Sequence, residues 1–387
     1  MIGSADATAR IAFYLVPRFS MMAFASAVEV LRMANQLSGK PLYAWTLVSS
    51  DARAVAASNG IAIDVAYGSD SRERCDAAFV CAGLDAHRVD DEPGFAWLRR
   101  HEQVEGVALG ALCTGTWLLA RAGLLDSYRC TIHYENLAAA REEFPALVIS
   151  AELFEIDRTR YTCAGGTAPL DMMLSEIGRR HGAGLANAIA EQFMCERIRE
   201  HHDRQRVPLT QRIGASQPRL AEAVSLMEAN IEEPMTLDEL SRHVGLSRRQ
   251  LERLFQRYLH VVPTRYYLDL RLERARQLLL QTSMPIVDIA LACGFISAPH
   301  FSKCYRDAFS LPPRDERRRA AGLIGTRPAA EARAAEASAA EVPPTDASPA
   351  DAAAAKPSST SAASADAASP DPDGEGDDQT SESSPSS

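Results

Sequence analysis

The chain has 387 residues, of which 46% are hydrophobic and 24% charged, and its formal net charge is -10. No stretch approaches the ~18 consecutive apolar residues of a membrane-spanning helix, and Met1 to Arg10 lacks the apolar core of a signal peptide, so we expect a cytoplasmic protein. The eight cysteines form no C-x-x-C pair and no zinc-binding spacing, which predicts neither a metal site nor a disulfide framework.

The charge is distributed unevenly along the chain. Residues 1–207 carry 21 Lys and Arg against 26 Asp and Glu, residues 208–326 carry 17 against 13, and residues 327–387 carry 3 against 12. Only the middle segment is therefore basic. Because Lys and Arg neutralise phosphates, the acidic total does not exclude nucleic-acid binding by that segment, and the small surplus predicts modest nonspecific affinity.

Apolar runs alternate with helix-like stretches over roughly the first 205 residues, as in an α/β domain. The patterns predict a helix at Phe24 to Leu37 and strands at Ile11 to Val16, Ala44 to Ser49, Ala77 to Cys81 and Val107 to Leu112.

The last of these strands runs directly into Cys113-Thr114-Gly115-Thr116 and then an apolar helix beginning at Trp117. This is the layout of a nucleophile elbow. A thiol there would face the crevice beyond the strand ends, near a helix N-terminus that favours thiolate. The sequence therefore predicts a pocket at Cys113.

Three short segments resemble the PfpI-like branch of the class I glutamine amidotransferase-like superfamily: Ala111 to Gly115, Ala82-Gly83 and Thr131-Ile132-His133. The resemblance covers residues 10 to about 195 and implies a flavodoxin-like, doubly wound sheet. Enzymes of this group pair the cysteine with a histidine and with an acid from the first helix. Cys113 and His133 match, but Ala23 stands where the acid would be, so we expect no catalytic residues.

We expect the ligand pocket to be lined by Cys113, Thr114, Trp117, His133 and Tyr134. Trp117, Tyr134 and Phe24 could form a partial cage for a quaternary ammonium group. Alternatively, these aromatic residues fill the core, Cys113 is an inert thiol and His133 is structural. Gly165-Gly166-Thr167, before a helix at Ala168 to His181, either donates backbone N–H groups to an anion or is a plain turn.

A polar run with His201-His202 and Pro208 lies within Glu200 to Gln217 and is interpreted as a solvated linker. Beyond it, Thr236 with Glu239 and Ser247 with Gln250 read as two capping boxes that flank a Gly245-containing turn. Two short helices joined in this way predict a helix-turn-helix.

A second copy follows about 50 residues later, after a long helix from Thr264 to Thr282 with an apolar stripe at Leu268, Leu272, Ala275 and Leu279. Pro285 sits where the first turn of its first helix tolerates proline, Cys293-Gly294 forms the turn and Ser297 is the expected cap of the second helix. The long helix would hold the two helix-turn-helix units so that each could enter one of two successive major grooves.

The predicted DNA contacts lie at the starts of the two second helices: Ser247, Arg248, Arg249, Glu252 and Arg253 in the first copy, and Ser297, Ala298, Pro299, Ser302 and Lys303 in the second. Arg249 and Arg253 suit guanine, and Glu252 suits a cytosine amino group. An ordinary helical bundle with a solvated Arg face is the alternative, which two matching capped copies disfavour.

Leu240 to Phe255, Arg274 to Leu280 and Ile289 to Phe309 resemble the two signature segments of the AraC family of bacterial transcription regulators. Ser310 to Arg317 departs from the family's usual ending. With the front domain, and with Phe19 to Gly39 and Cys130 to Asn136, the chain resembles the GlxA group of that family. The resemblance implies a ligand-responsive regulator, commonly an activator, of amine or amino-acid catabolism genes.

The implied partners are promoter DNA, RNA polymerase, a second copy of the chain and an effector such as betaine, carnitine or arginine, without a cofactor. We expect a ligand-sensing domain at 1–205, a DNA-binding domain at 206–325 and a disordered acidic tail at 326–387, whose composition cannot support a core. The alternatives are a thiol hydrolase or glyoxalase-like enzyme fused to a DNA-binding module, and a front domain that only dimerises.

Overall fold

The computed structural model describes Ile2, residues 7–205 and residues 217–320, and its first half is built on strands around one large sheet. The strands are β1 Ala9–Leu15, β2 Tyr43–Ser49, β3 Val55–Ala56, β4 Ala62–Ile63, β5 Tyr67–Gly68, β6 Ala77–Ala82, β7 Ala108–Cys113, β8 Arg129–Thr131, β9 Val148–Ser150, β10 Phe154–Asp157 and β11 Arg160–Cys163. Seven of them form a sheet in the order β10-β11-β7-β6-β1-β2-β5, and β10 is its antiparallel edge strand.

Helices cover both faces of this sheet. They are α1 Met21–Ser38, α2 Glu92–Glu102, α3 Gly115–Arg121, α4 Leu137–Glu143, α5 Ala168–His181 and α6 Ala183–Gln192. Strand β1 shows why both faces are needed, because Phe13 and Leu15 belong to one core while Ala12 and Tyr14 belong to the other. The expected flavodoxin-like, doubly wound fold is confirmed.

The predicted strands and first helix are all present, with ends that differ by a few residues. Helix α1 begins at Met21 rather than Phe24, because Ser20 caps it through a hydrogen bond from the Ala23 N–H to Ser20 Oγ at 3.3 Å. Ala23 itself is completely enclosed in the core, which leaves no room there for an acidic side chain.

The second half is entirely helical. Its helices are α7 Pro218–Ala229, α8 Leu237–His243, α9 Arg248–Leu259, α10 Pro263–Gln281, α11 Ile286–Ala292, α12 Ala298–Phe309 and α13 Pro313–Ala320. One core packs α7, α8 and α9 through Leu220, Leu240 and Leu251, and the other packs α10, α11 and α12 around Leu279 and Phe301. Helix α10 contributes to both cores.

The two predicted capping boxes are confirmed, with Thr236 and Ser247 each accepting from the backbone three residues on. The expected side-chain cap at Ser297 is wrong. Ser297 does occupy the N-cap position of α12, but its side chain makes no capping hydrogen bond there.

The first residues of the expected linker lie against the α/β domain, while His201 and His202 within it are exposed. The Gln205 side-chain amide donates to Thr131 Oγ1, to Ile132 O and to Glu152 O at distances from 2.9 to 3.0 Å. The rest of that linker, residues 206–216, and the expected acidic tail at 326–387 lie outside the described residues.

Helices α4 and α10 connect the two halves. Ala138 of α4 is completely buried among core residues of the helical half, which include Leu272 and Leu279. Beside it, the Asn136 side-chain amide donates to Gln281 Oε1 at 3.2 Å. The last turn of α10 therefore rests directly on the α/β domain.

Candidate functional site

The first helix-turn-helix is shaped by a glycine in the left-handed region. Gly245 has φ of 64°, and the turn it makes is also held by a hydrogen bond from Arg219 to Val244 O. A Cβ at Gly245 would lie 2.5 Å from the Arg219 guanidinium. The turn sets the angle at which α9 leaves α8.

Helix α9 buries one face and exposes the other. Leu251 and Phe255 point into the core, whereas Arg249 and Arg253 are exposed. Arg248 differs from these two, since its Nε lies 3.2 Å from Glu252 Oε1. Contact of Glu252 with a cytosine amino group would have to compete with this ion pair.

The second helix-turn-helix repeats this arrangement at Gly294, which has φ of 73°. A Cβ there would lie 2.6 Å from Ile231 O, so only glycine fits the close packing against the first unit. On α12, Pro299 and Lys303 are exposed. Ser302 and Ala298 are half-buried, and Ser297 just before the helix is exposed.

An exposed isoleucine stands beside these predicted contacts and was not anticipated from the sequence. Ile296 directly precedes Ser297, the N-cap residue of α12, and it is 100% exposed. A large apolar side chain in that state at the start of a recognition helix suits contact with thymine methyl groups. The sequence did contain an indication of this exposure, because Ile296 lies between the turn at Gly294 and the start of α12, outside the apolar stripe of that helix.

Helix α10 fixes both units through two side chains outside its predicted apolar stripe. The Tyr267 hydroxyl donates to Asn230 O at 2.5 Å in the first unit. The Arg271 guanidinium donates to Cys293 O at 2.7 Å and to Gly294 O at 2.6 Å in the turn of the second, and lies 4.2 Å from the Phe295 ring. One helix thus sets the spacing of both recognition helices.

Helix α13 packs against α12 although Ser310 to Arg317 departs from the usual sequence at this position. The Tyr305 hydroxyl donates to Glu316 Oε2 at 2.5 Å, and Arg276 Nε donates to Glu316 Oε1 at 2.8 Å. Burial and the Glu316 carboxylate both raise the pKa of Tyr305. The departure from the family's usual ending therefore still gives a docked helix.

In the α/β domain, Cys113 occupies a strained turn at the end of β7. Its φ is 61°, in the left-handed region that few side chains other than glycine adopt. Thr114 Oγ1 anchors the turn by donating to Gly83 O at 2.7 Å. A Cβ on Gly115 would lie 2.3 Å from Val80 O, so the chain can turn here only with glycine at that position.

Cys113 and His133 converge, as the motif order predicted, and they meet at Gly165. A Cβ at Gly165 would lie 2.9 Å from Cys113 Sγ and 2.5 Å from the His133 ring. Tyr134 stacks on His133 with ring centroids 4.5 Å apart. Glu135, which the sequence analysis did not include, lies 3.9 Å from His133 Nδ1.

The electrostatics of this cluster do not favour a reactive cysteine. Burial raises the pKa of the Cys113 thiol to about 11, against the smaller opposing effect of hydrogen bonds from Thr114. Burial also lowers the pKa of His133, although the Glu135 carboxylate opposes that shift. The start of the helix at Thr114 does lower the pKa of the thiol, as expected, but burial outweighs that effect, so a neutral thiol lies beside a neutral imidazole.

The proposed aromatic cage is also not formed. Phe24 packs in the core on one face of the sheet, against Phe13 and Phe19, whereas Trp117 belongs to the core on the other face. The Trp117 ring instead contacts Phe144 at 5.4 Å and His87 at 6.1 Å between centroids. Of the three predicted cage residues, only Tyr134 stays beside His133.

Neither a membrane-spanning helix nor a metal cluster is found among residues 7–205 and 217–320. No helix there is long and apolar enough to cross a bilayer. Nor do three or more His, Cys, Asp or Glu side chains come together there as metal ligands would.

Two helix-turn-helix units carried by one rigid helix, behind an α/β domain with an unactivated cysteine, define a DNA-binding transcriptional regulator. Comparison with known proteins agrees. Residues 9–177 match the DJ-1/PfpI family, and residues 240–319 match a helix-turn-helix domain family.

Two curated relatives span most of the chain. The HTH-type transcriptional regulator GbdR of Pseudomonas aeruginosa is 56% identical over 307 residues, which is 79% of this chain and 83% of that protein. The HTH-type transcriptional regulator GlxA of Rhizobium meliloti is 37% identical over 312 residues, 80% of this chain and 96% of that protein. An AraC family regulator structure from Pseudomonas putida is 32% identical, covers 48% of this chain and 99% of that one, and has a TM-score of 0.44.

The chain therefore belongs to the AraC family of transcriptional regulators, in the GlxA-type group that joins a DJ-1/PfpI domain to an AraC-type helix-turn-helix domain. It is a regulator and not an enzyme, which decides against the thiol hydrolase and glyoxalase-like alternatives.

Proposed function

We propose that the chain is an effector-responsive activator whose α/β domain binds a small amine near Cys113 and His133. The observation that carries this proposal is the convergence of Cys113, His133 and Gly165 at the end of β7. A strained turn with a buried thiol costs free energy, and such strain persists where function requires it. With the thiol unactivated, binding is the use that remains.

The chemistry beside His133 suits a cationic group. Glu135 supplies a half-exposed carboxylate, and Tyr134, whose hydroxyl lies 3.2 Å from Glu135 Oε1, supplies an aromatic face. A carboxylate with an adjacent ring attracts ammonium and quaternary ammonium groups. This supports betaine, carnitine or arginine as effectors, in keeping with the resemblance to regulators of amine catabolism. Cys113 and Thr114 would line the opposite wall, whereas Trp117 belongs to the core on the other face of the sheet.

The recognition helices α9 and α12 read promoter DNA in this proposal. Arg249 and Arg253 in the first unit, and Lys303 with Ser302 in the second, supply base contacts, while Arg248, Ser247, Ser297, Ala298 and Pro299 meet backbone or methyl groups. Because α10 holds both units, we infer that they enter successive major grooves on one side of the duplex. Cytoplasmic location, a homo-oligomer and contact with RNA polymerase complete the proposal.

A thermal-shift screen of the full chain against glycine betaine, carnitine and arginine tests the effector. A compound at 100 times its Kd should add about 2.7 kcal/mol to the free energy of unfolding. Glu135→Gln should abolish the shift, and Glu105→Gln, a charge-matched change at an exposed position elsewhere in the same domain, should keep it. An undiminished shift in Glu135→Gln would remove the proposed site, and no shift with any compound would favour a front domain that only dimerises.

A further inference from the structure

A cavity of about 300 Å³ lies where the α/β domain meets the helical domain. Its walls come from both domains, with Arg88, Trp117, Arg121 and Glu143 on one side and residues 279–283 and Arg317 on the other. Its volume lies at the lower end of the range of small-molecule sites, roughly 300 to 1,000 Å³. It lies on the Trp117 face of the sheet, separate from the Cys113 cluster.

The lining is positively charged. Three arginines face one carboxylate, that of Glu143. Arg121 is held rigidly, since its guanidinium donates to Val89 O and to His87 O, each at 2.6 Å. Arg88 is exposed and its Nε donates to His87 Nε2 at 3.2 Å. A fixed cationic wall of this kind selects an anion.

Two hydrogen-bond donors in the lining have no acceptor among the described residues. They are the indole Nε1 of Trp117, a residue that is 1% exposed, and Nη2 of Arg317. Each of these two nitrogens exposes less than 1 Å² to solvent. Unsatisfied buried donors cost free energy and are rare in folded proteins, so a pair of them at one cavity indicates an acceptor that binds there.

We propose that this cavity binds the carboxylate of a small organic anion, which accepts hydrogen bonds from Trp117 Nε1 and Arg317 Nη2. Because both nitrogens are shielded from solvent, lining side chains must move for the carboxylate to reach them. Because Trp117 lies in the α/β domain and Arg317 in α13, the ligand joins the two domains. That its occupancy regulates DNA binding rests on the proposed function.

The contacts of α13 give the route from this site to DNA. Arg317 follows Glu316, which binds both the Tyr305 hydroxyl of the recognition helix α12 and Arg276 of α10. Arg317 Nε also donates to Leu279 O at 3.4 Å. A ligand that binds and shifts Arg317 would therefore also shift α12, the helix that carries the second set of DNA contacts.

Calorimetric titration of the full chain with sodium succinate, at fixed ionic strength, tests the site. We expect saturable binding that weakens by about tenfold or more in Arg317→Met and in Trp117→Phe, which removes the N–H but keeps an aromatic ring. The matched control is Arg318→Met, the same change at the exposed neighbour, and it should leave binding unaltered. Inorganic phosphate is the second probe, and binding of phosphate without succinate would refute the assignment to a carboxylate.

Hydrogen exchange locates the bound succinate. Slower exchange in both α3 and residues 279–283 is expected, because the ligand bridges the domains. No saturable binding, or equal binding by Arg317→Met, would overturn the inference, and Arg317→Met decides alone if Trp117→Phe fails to fold. Protection at residues 113–116 and 131–135 by an amine, without binding of succinate, would overturn this inference but leave the proposed function standing. Binding of succinate without any response to an amine would support this inference and remove the proposed amine site.

Discussion

The side-chain amide of Asn136 donates a hydrogen bond to the amide oxygen of Gln281, and so joins the α/β domain to the last turn of the helix that carries both DNA-reading units. Ala138, two residues further along the chain, is buried with Leu272 in the core of the helical domain. Since α10 also fixes the two helix-turn-helix turns, a change in the α/β domain has a direct mechanical path to the spacing of the recognition helices.

Ala138→Leu should disturb this contact. The larger side chain overpacks a completely buried position, which we expect to lower the free energy of unfolding by about 1–3 kcal/mol. It should also alter the effect of the effector on DNA affinity. Ala183→Leu, at an exposed position of the same domain, is the control for chemical denaturation and should change little. If both variants behave like the unsubstituted chain, the α4–α10 contact carries no coupling.

Arg249→Ala and Arg253→Ala should each weaken binding to a selected promoter fragment by about 1–3 kcal/mol and relax specificity at one base pair. Both side chains are exposed on α9. Arg257→Ala removes the same charge from the exposed last turn of the helix and should lower affinity only modestly, for all sequences alike. Mobility-shift titrations over a set of single-base variants measure both effects. Equal losses in all three variants would mean that α9 contacts only phosphates.

Arg271→Met should weaken the second unit selectively. It removes two charge-assisted hydrogen bonds to Cys293 O and Gly294 O, so we expect a loss of about 1–3 kcal/mol in the free energy of unfolding. Footprinting should show protection lost at one half-site and kept at the other. Arg265→Met, which breaks only an exposed ion pair with Asp269, should cost roughly 0.5 kcal/mol or less. Loss of both half-sites in Arg271→Met would contradict separate support of the units.

Alkylation of Cys113 should be slow at neutral pH. Since burial raises its pKa to about 11, the thiolate fraction, and with it the rate, should rise about tenfold per pH unit until near that value. The thiol remains protonated in the folded chain after it ionises in the unfolded one, so its contribution to stability is complete below roughly pH 8.5 and is lost as the pH rises towards 11. Site-resolved mass spectrometry follows the reaction, with half-exposed Cys304 as internal reference. Rapid alkylation near pH 7 that is lost in His133→Ala would instead indicate an activated thiol.

Local rules in the sequence predicted much of the fold. Capping boxes at Thr236 and Ser247 and apolar runs such as Ala77 to Cys81 depend on nearby residues, and the structure contains them. Ser297 shows the limit of such rules, because a cap residue type does not guarantee the capping hydrogen bond.

The surroundings of the candidate sites were less predictable, because they depend on contacts between distant segments. Trp117 follows Cys113 by four residues, yet it packs on the opposite face of the sheet from Phe24. Arg271 lies outside the apolar stripe of α10, and its role appears only once the turn at Gly294 is placed beside it. Periodicity indicates which face is buried but not what covers it.

The central claim is that an effector bound by the α/β domain changes the affinity of the full chain for DNA. The most direct test is the Kd for a selected promoter fragment, measured with and without saturating amounts of the amine that stabilises the protein most, together with the Kd of that amine with and without DNA. We predict that the two constants shift by the same factor, typically about 5-fold to 150-fold, because linkage between two binding equilibria is reciprocal. A DNA affinity that is identical with and without the amine would contradict the account.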